Sequence, residues 1–66
     1  MPGNDRQTYR QELDRAIGNL DWALEHVRRM SEAYQEHHPE VSEVCELAGA
    51  GLMTIQDLLS SLKAMI

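Results

Sequence analysis

The chain contains no phenylalanine, a single cysteine, two prolines and four glycines among its 66 residues. Its only aromatics are Tyr9, Trp22 and Tyr34, whereas a sheet protein needs a richer stock of aromatic and β-branched side chains for its pleated faces. No apolar run approaches the ~20 residues that cross a bilayer, and no basic-then-apolar signal segment opens the chain. The lone Cys45 has no internal disulfide partner, so a reducing, cytoplasmic location is expected. Cations are scarce too. Six Lys+Arg face eleven Asp+Glu, a formal net charge of −5, and broad electrostatic attachment to DNA or to an anionic membrane is not expected. What remains is 42% hydrophobic and 26% charged, the balance of a folded chain rather than a disordered one.

His37-His38-Pro39 is the one strong break. Proline lacks an amide hydrogen and pushes the residue before it toward extended geometry, so a helix arriving from the left should stop there. Proline also suits the first position of a new helix, where Glu40 and Glu43 would meet the positive first turn. Upstream, Met1-Pro2-Gly3 reads as a frayed tail, Asn4 or Asp5 as a cap, and Gln7 as the residue completing a capping box with Asn4. The expected fold is all-α: an antiparallel two-helix hairpin with helix 1 at about 5–37, a turn at 37–39 and helix 2 at about 39–65.

Periodicity supports that division. Leu13, Ile17, Leu20, Leu24, Val27, Ser31 and Tyr34 alternate steps of four and three, a heptad seam with Ser31 as its one polar member. Tyr9, Ala16, Ala23 and Met30 form a parallel row beside it. The second helix repeats the scheme with Val41, Cys45, Ala48, Leu52, Ile55, Leu59, Leu62 and Ile66, flanked by Val44, Gly51, Leu58 and Met65. Three apolar positions per heptad make a bundle face, wider than a two-stranded seam requires. Two lone helices meet along one line and leave the outer edges of such stripes wet, and large exposed apolar patches are uncommon on monomers. A second copy should supply the missing core, giving a homodimeric four-helix bundle. Leu13, Ile17, Leu20, Leu24, Val27, Val44, Ala48, Leu52, Ile55, Leu59 and Leu62 are its candidate interface.

Residues off the seam point to a contact face. Trp22 falls on the outward row of helix 1 with Arg15 and Arg29 one heptad to either side, and Gly18 and His26 lie one turn away. A flat aromatic over a small residue, flanked by guanidinium groups, suits a protein hot spot, a stacked base or an anionic ligand. Alternatively Trp22 packs on a neighbour, and Glu12–Arg15 and Glu25–Arg29 are ordinary intrahelical pairs. In helix 2, Leu47, Ala50 and Met53 are off the seam, and Gly49-Ala50-Gly51 interrupts it with two glycines, which suggest either close approach of another helix at Gly51 or a bend or bulge beside a site. Cys45 lies on the seam, so an inert buried thiol is expected rather than a zinc ligand with His37 or His38. Glu40, Glu43 and Glu46 read as a solvated acidic face. No nucleophile set, phosphate loop or Glu-x-x-His pair can be assembled, and no enzyme activity, metal or cofactor is expected.

In architecture the chain resembles the Rop-type plasmid RNA-binding hairpin, an antiparallel dimer of two-helix chains, although no diagnostic motif carries residues across. That resemblance implies RNA-binding side chains on one helix pair. Here Arg6, Arg10, Arg15, Arg28 and Arg29 all lie in helix 1, interspersed with seven acidic groups, while helix 2 has Lys63 alone. Two functions follow as expectations. One is a non-enzymatic regulatory or interaction protein that self-associates and binds an unidentified protein partner through the outer face of helix 1. The other is a binder of a nucleotide or RNA through Arg15, Trp22 and Arg29.

Overall fold

A computed structural model describes residues 2–66, with side chains described from Asp5 onward. Helix α1 runs Pro2–Tyr34 and helix α2 runs Pro39–Met65, and the two pack side by side as an antiparallel hairpin. No strand occurs among the described residues. The hairpin is a thin rod, 55 × 15 × 10 Å across its Cα atoms with a radius of gyration of 15.7 Å. A compact chain of this length would have a radius near ~11 Å.

Both ends of α1 differ from the sequence expectation. The helix starts at Pro2, whose fixed φ is compatible with a first turn. Asp5, expected as a cap, therefore lies inside the helix and complements its positive end. Asn4 is also within the helix, but its side chain, and so the capping box with Gln7, lies outside the described residues, as does Met1. At the other end α1 stops at Tyr34 instead of residue 37. Continuing the helix would require an amide hydrogen at Pro39 to satisfy the carbonyl of Gln35, and proline has none. The chain instead closes a turn in which the His38 amide donates to the Tyr34 carbonyl at 2.8 Å. His38 is extended (φ −139°, ψ 69°) and precedes α2 without a side-chain cap. Its carbonyl accepts from the amides of Val41 at 3.0 Å and Ser42 at 3.3 Å.

On α1 the half-buried positions include Leu13, Ile17, Leu20, Leu24, Val27 and Ser31, the expected seam, while Tyr34 is exposed. On α2 the outcome differs. The row turned toward α1 contains Ser42, Cys45, Gly49, Leu52, Gln56, Leu59, Lys63 and Ile66. The helix is thus rotated so that Ala48, Ile55 and Leu62, expected on the seam, are exposed, and a polar or small residue stands at every seventh position in their place.

Hydrogen bonds account for this rotation. The hydroxyls of Ser31 and Ser42 meet at 2.8 Å, and Ser42 is the one buried residue among those described. Gln56 Nε2 donates to the Ile17 carbonyl at 3.1 Å and to Asp21 Oδ1 at 2.6 Å. Lys63 Nζ donates to Asp14 Oδ1 at 2.5 Å. Between them Leu24 faces Gly49, where an added Cβ would sit 3.9 Å from Leu24 Cδ2, an ordinary contact. The pairs 31·42, 24·49 and 17·56 step by seven in opposite directions, so one polar ladder fixes the antiparallel register. Ser42 and Gln56 reach α1 groups only from this face, because an unpaired polar atom between helices costs ~1–3 kcal/mol.

Candidate interaction surface

Zipping one edge with polar groups leaves the opposite face of the hairpin apolar. From Val41 to Ile66 the three adjoining rows of α2 comprise Val41, Ala48, Ile55 and Leu62; Cys45, Leu52, Leu59 and Ile66; and Val44, Gly51, Leu58 and Met65. They contain no polar side chain except the Cys45 thiol. Two rows of α1 continue the surface: Leu13, Leu20, Val27 and Tyr34, then Tyr9, Ala16, Ala23 and Met30. No hydrophobic residue is buried anywhere among the described residues. Of the eleven large apolar residues left exposed, eight lie on these rows: Tyr9, Met30, Tyr34, Val44, Ile55, Leu58, Leu62 and Met65. The other three are Trp22, Leu47 and Met53. A hollow of about 500 Å³ indents the apolar face between Tyr9, Leu13, Ala16, Leu62 and Ile66, with Glu12 at its edge.

Of the expected interface, Leu13, Leu20, Val27, Leu52 and Leu59 are half-buried between this face and the helix contact, and Val44, Ala48, Ile55 and Leu62 stand exposed on it. Ile17 and Leu24 belong to the other edge, alongside Ser31 and the polar ladder. Gly51 does not mark a close approach within the hairpin, because a Cβ there would meet nothing within 4 Å. Cys45, expected to be buried, is a free, half-buried thiol on the rim of the apolar face.

The outer row of α1 carries Trp22, 65% exposed. His26 lies against it, the ring centroids 6.5 Å apart and the planes tilted by 33°. Gly18, one turn before Trp22, faces open space. The flanking cations are paired: Arg15 Nη1 lies 3.1 Å from Glu12, and Arg29 Nε lies 3.3 Å from Glu25. Glu25 is shared. Arg28 Nη2 lies 2.5 Å from Glu25 Oε1, the oxygen that Arg29 also approaches, while Arg28 Nη1 reaches Glu32 at 2.7 Å. The hydrogen bond from Arg28, with the charges of Arg28 and Arg29, holds the Glu25 carboxyl below its ordinary pKa, and the same pairing raises that of Arg28. Each guanidinium of the expected anion site thus already has a carboxylate on its own helix.

A second surface lies along the polar edge. A groove of about 660 Å³ runs between the helices over Leu24, Val27, Cys45, Gly49 and Met53, bordered by Asp21, Glu25, Arg28, Glu32 and Glu46. At the open end of the hairpin, Arg6, Gln7, Arg10, Gln11, Asp14 and Lys63 line a polar hollow of about 470 Å³. No group of three or more His, Cys, Asp or Glu side chains that could hold a metal ion occurs among the described residues, and none of their helices is long and apolar enough to cross a membrane. No family model, curated protein or solved structure matches the chain.

The residues missed from sequence are Ser42, Gln56 and Lys63. Their seven-residue spacing was visible, but hydrophobicity alone ranked the neighbouring row Val41, Ala48, Ile55 and Leu62 above them. The available signal was complementarity: α1 offers Ser31, Asp21 and Asp14 in the reverse of the order in which α2 offers Ser42, Gln56 and Lys63.

Proposed function

We propose that the protein is a non-enzymatic helical interaction protein that works as a homodimer, two hairpins joining their apolar faces into a four-helix bundle. The observation that carries this reading is the segregation of eight exposed large apolar residues onto one uncharged face while the opposite edge is closed by polar bonds. The amount of surface agrees. The chain exposes 5266 Å², about 1,000 Å² more than the ~4,250 Å² of a compact protein of its mass. A stable dimer buries about 800 Å² per partner. The face is nearly free of polar groups, so its burial carries little desolvation cost.

In that assembly Trp22 stays outside, and the outer face of α1 offers it to a macromolecular partner. Exposed aromatics that bury large area for little entropy are favoured anchors at protein interfaces. A protein partner is favoured over a nucleotide or RNA because Arg15 and Arg29 are neutralised by Glu12 and Glu25. A cytoplasmic regulator fits the acidic composition and the free thiol. Sedimentation equilibrium tests the core of the reading: the expected mass is twice 7.5 kDa, and a cooperatively folded monomer at micromolar concentration refutes it.

A further inference from the structure

We infer that the groove along the polar edge is a docking site for a basic amphipathic helix of a partner protein. This deepens the reading of the outer face of α1 as the partner surface and rests on it. The groove opens on the opposite side of the hairpin from the apolar face and shares with it only the half-buried Val27 and Cys45 of the helix contact, so the proposed dimerisation leaves its mouth open and each dimer would carry two.

Its floor is apolar, made by Leu24, Val27, Cys45 and the bare backbone of Gly49, with Met53 on one wall, 58% exposed. Its borders carry Asp21, Glu25, Glu32 and Glu46. Glu25 and Glu32 share Arg28, and Arg29 also holds Glu25, so with both arginines counted the border has a net charge of −2, and Asp21 and Glu46 are its carboxylates outside those ion pairs. Arg28 is held by Glu25 and Glu32 and turned to its own helix. This arrangement matches one ligand chemistry. A helix with an apolar stripe fills the floor in the manner of helix-in-groove recognition, and Lys or Arg on its flanks meet the acidic borders. Methionine suits such a wall because its unbranched, polarisable side chain adapts to the entering residue. The α1 border also leads toward the outer face. Gly18, Glu25 and Glu32 occupy the row between the groove and Trp22, so a cationic side chain on the partner's flank can stack over the indole. The chain's formal charge of −5 steers a basic partner to the protein before contact.

Titration calorimetry with an 18-residue Lys/Leu amphipathic peptide tests the assignment. The expected result is saturable binding of one peptide per chain, weakened at least tenfold in Met53→Glu and in Glu46→Lys. Both positions are exposed, and sedimentation of the same samples reads whether the dimer is intact. Met53→Glu separates the groove from bulk electrostatics: an added negative charge strengthens binding by charge alone but removes an apolar wall. Tighter binding in Met53→Glu overturns the proposal, as does equal binding of a Glu/Leu peptide or no saturation up to ~1 mM. Weakening by Trp22→Ala with both groove variants neutral also overturns it while leaving the outer-face reading intact. Loss of peptide binding through Leu58→Asp alone places the peptide on the apolar face and equally refutes the groove.

Discussion

Leu58→Asp separates the stability of the hairpin from that of the assembly. Leu58 is 63% exposed in the single hairpin, so the substitution removes little packing there. Its main intrahairpin cost is the poorer helix propensity of Asp, ~0.5 kcal/mol. In the proposed four-helix bundle the same residue would be covered. Fully burying a leucine side chain is worth about 1.5–3 kcal/mol, of which the still-exposed share is roughly 1–2 kcal/mol. Two-fold symmetry doubles the loss to roughly 2–4 kcal/mol per dimer, before the cost of placing two carboxylates between apolar surfaces. At 1.4 kcal/mol per decade the dimer dissociation constant should rise by roughly 30- to 1,000-fold or more. Sedimentation equilibrium across a concentration series measures it, and circular dichroism at high concentration follows the helix. A dissociation constant within threefold of the parent's would refute the assignment of this face.

Four further outcomes follow from the geometry. Gly18→Ala should stabilise the fold by about 0.5–1 kcal/mol in thermal unfolding, because the position is helical and a methyl group meets nothing within 4 Å; a loss would mean that Gly18 is covered in the assembly. Ser31→Leu should destabilise by about 1–3 kcal/mol in urea titration, since it strands the buried Ser42 hydroxyl and overpacks the close pair. Trp22→Ala should change the melting temperature by no more than a few degrees, the ring being mostly in solvent. For Glu25, a pKa lowered in the folded state means that the unfolded chain binds the proton more readily. The pair's contribution is therefore present above ~4.3 and is lost as pH falls through the lower folded-state value. Glu25→Gln should flatten that acid limb of the stability curve, and added salt should shrink the difference between the two proteins.

Much of the architecture could be read from residue order, since the forces that set it are local. Pro39 cannot donate an amide hydrogen, so the break and the start of α2 follow from one side chain. The alternating steps from Leu13 to Ser31 place that seam correctly because only a 3.6-residue period brings those side chains to one face. Trp22 was legible as an outward residue by the same arithmetic.

The facing of α2 was a tertiary decision. Val41, Ala48, Ile55 and Leu62 outrank Ser42, Gly49, Gln56 and Lys63 on hydrophobicity, and a helix read alone turns the greasier row inward. Only when α1 is alongside do Ser31, the Ile17 carbonyl, Asp21 and Asp14 become partners for the polar row. Their bonds are directional and pair one residue with one other. Apolar contact is not so restricted, which frees the more apolar row for a surface outside the hairpin. Local periodicity determined the two helices; the pairing of polar groups across them determined which apolar face remained exposed.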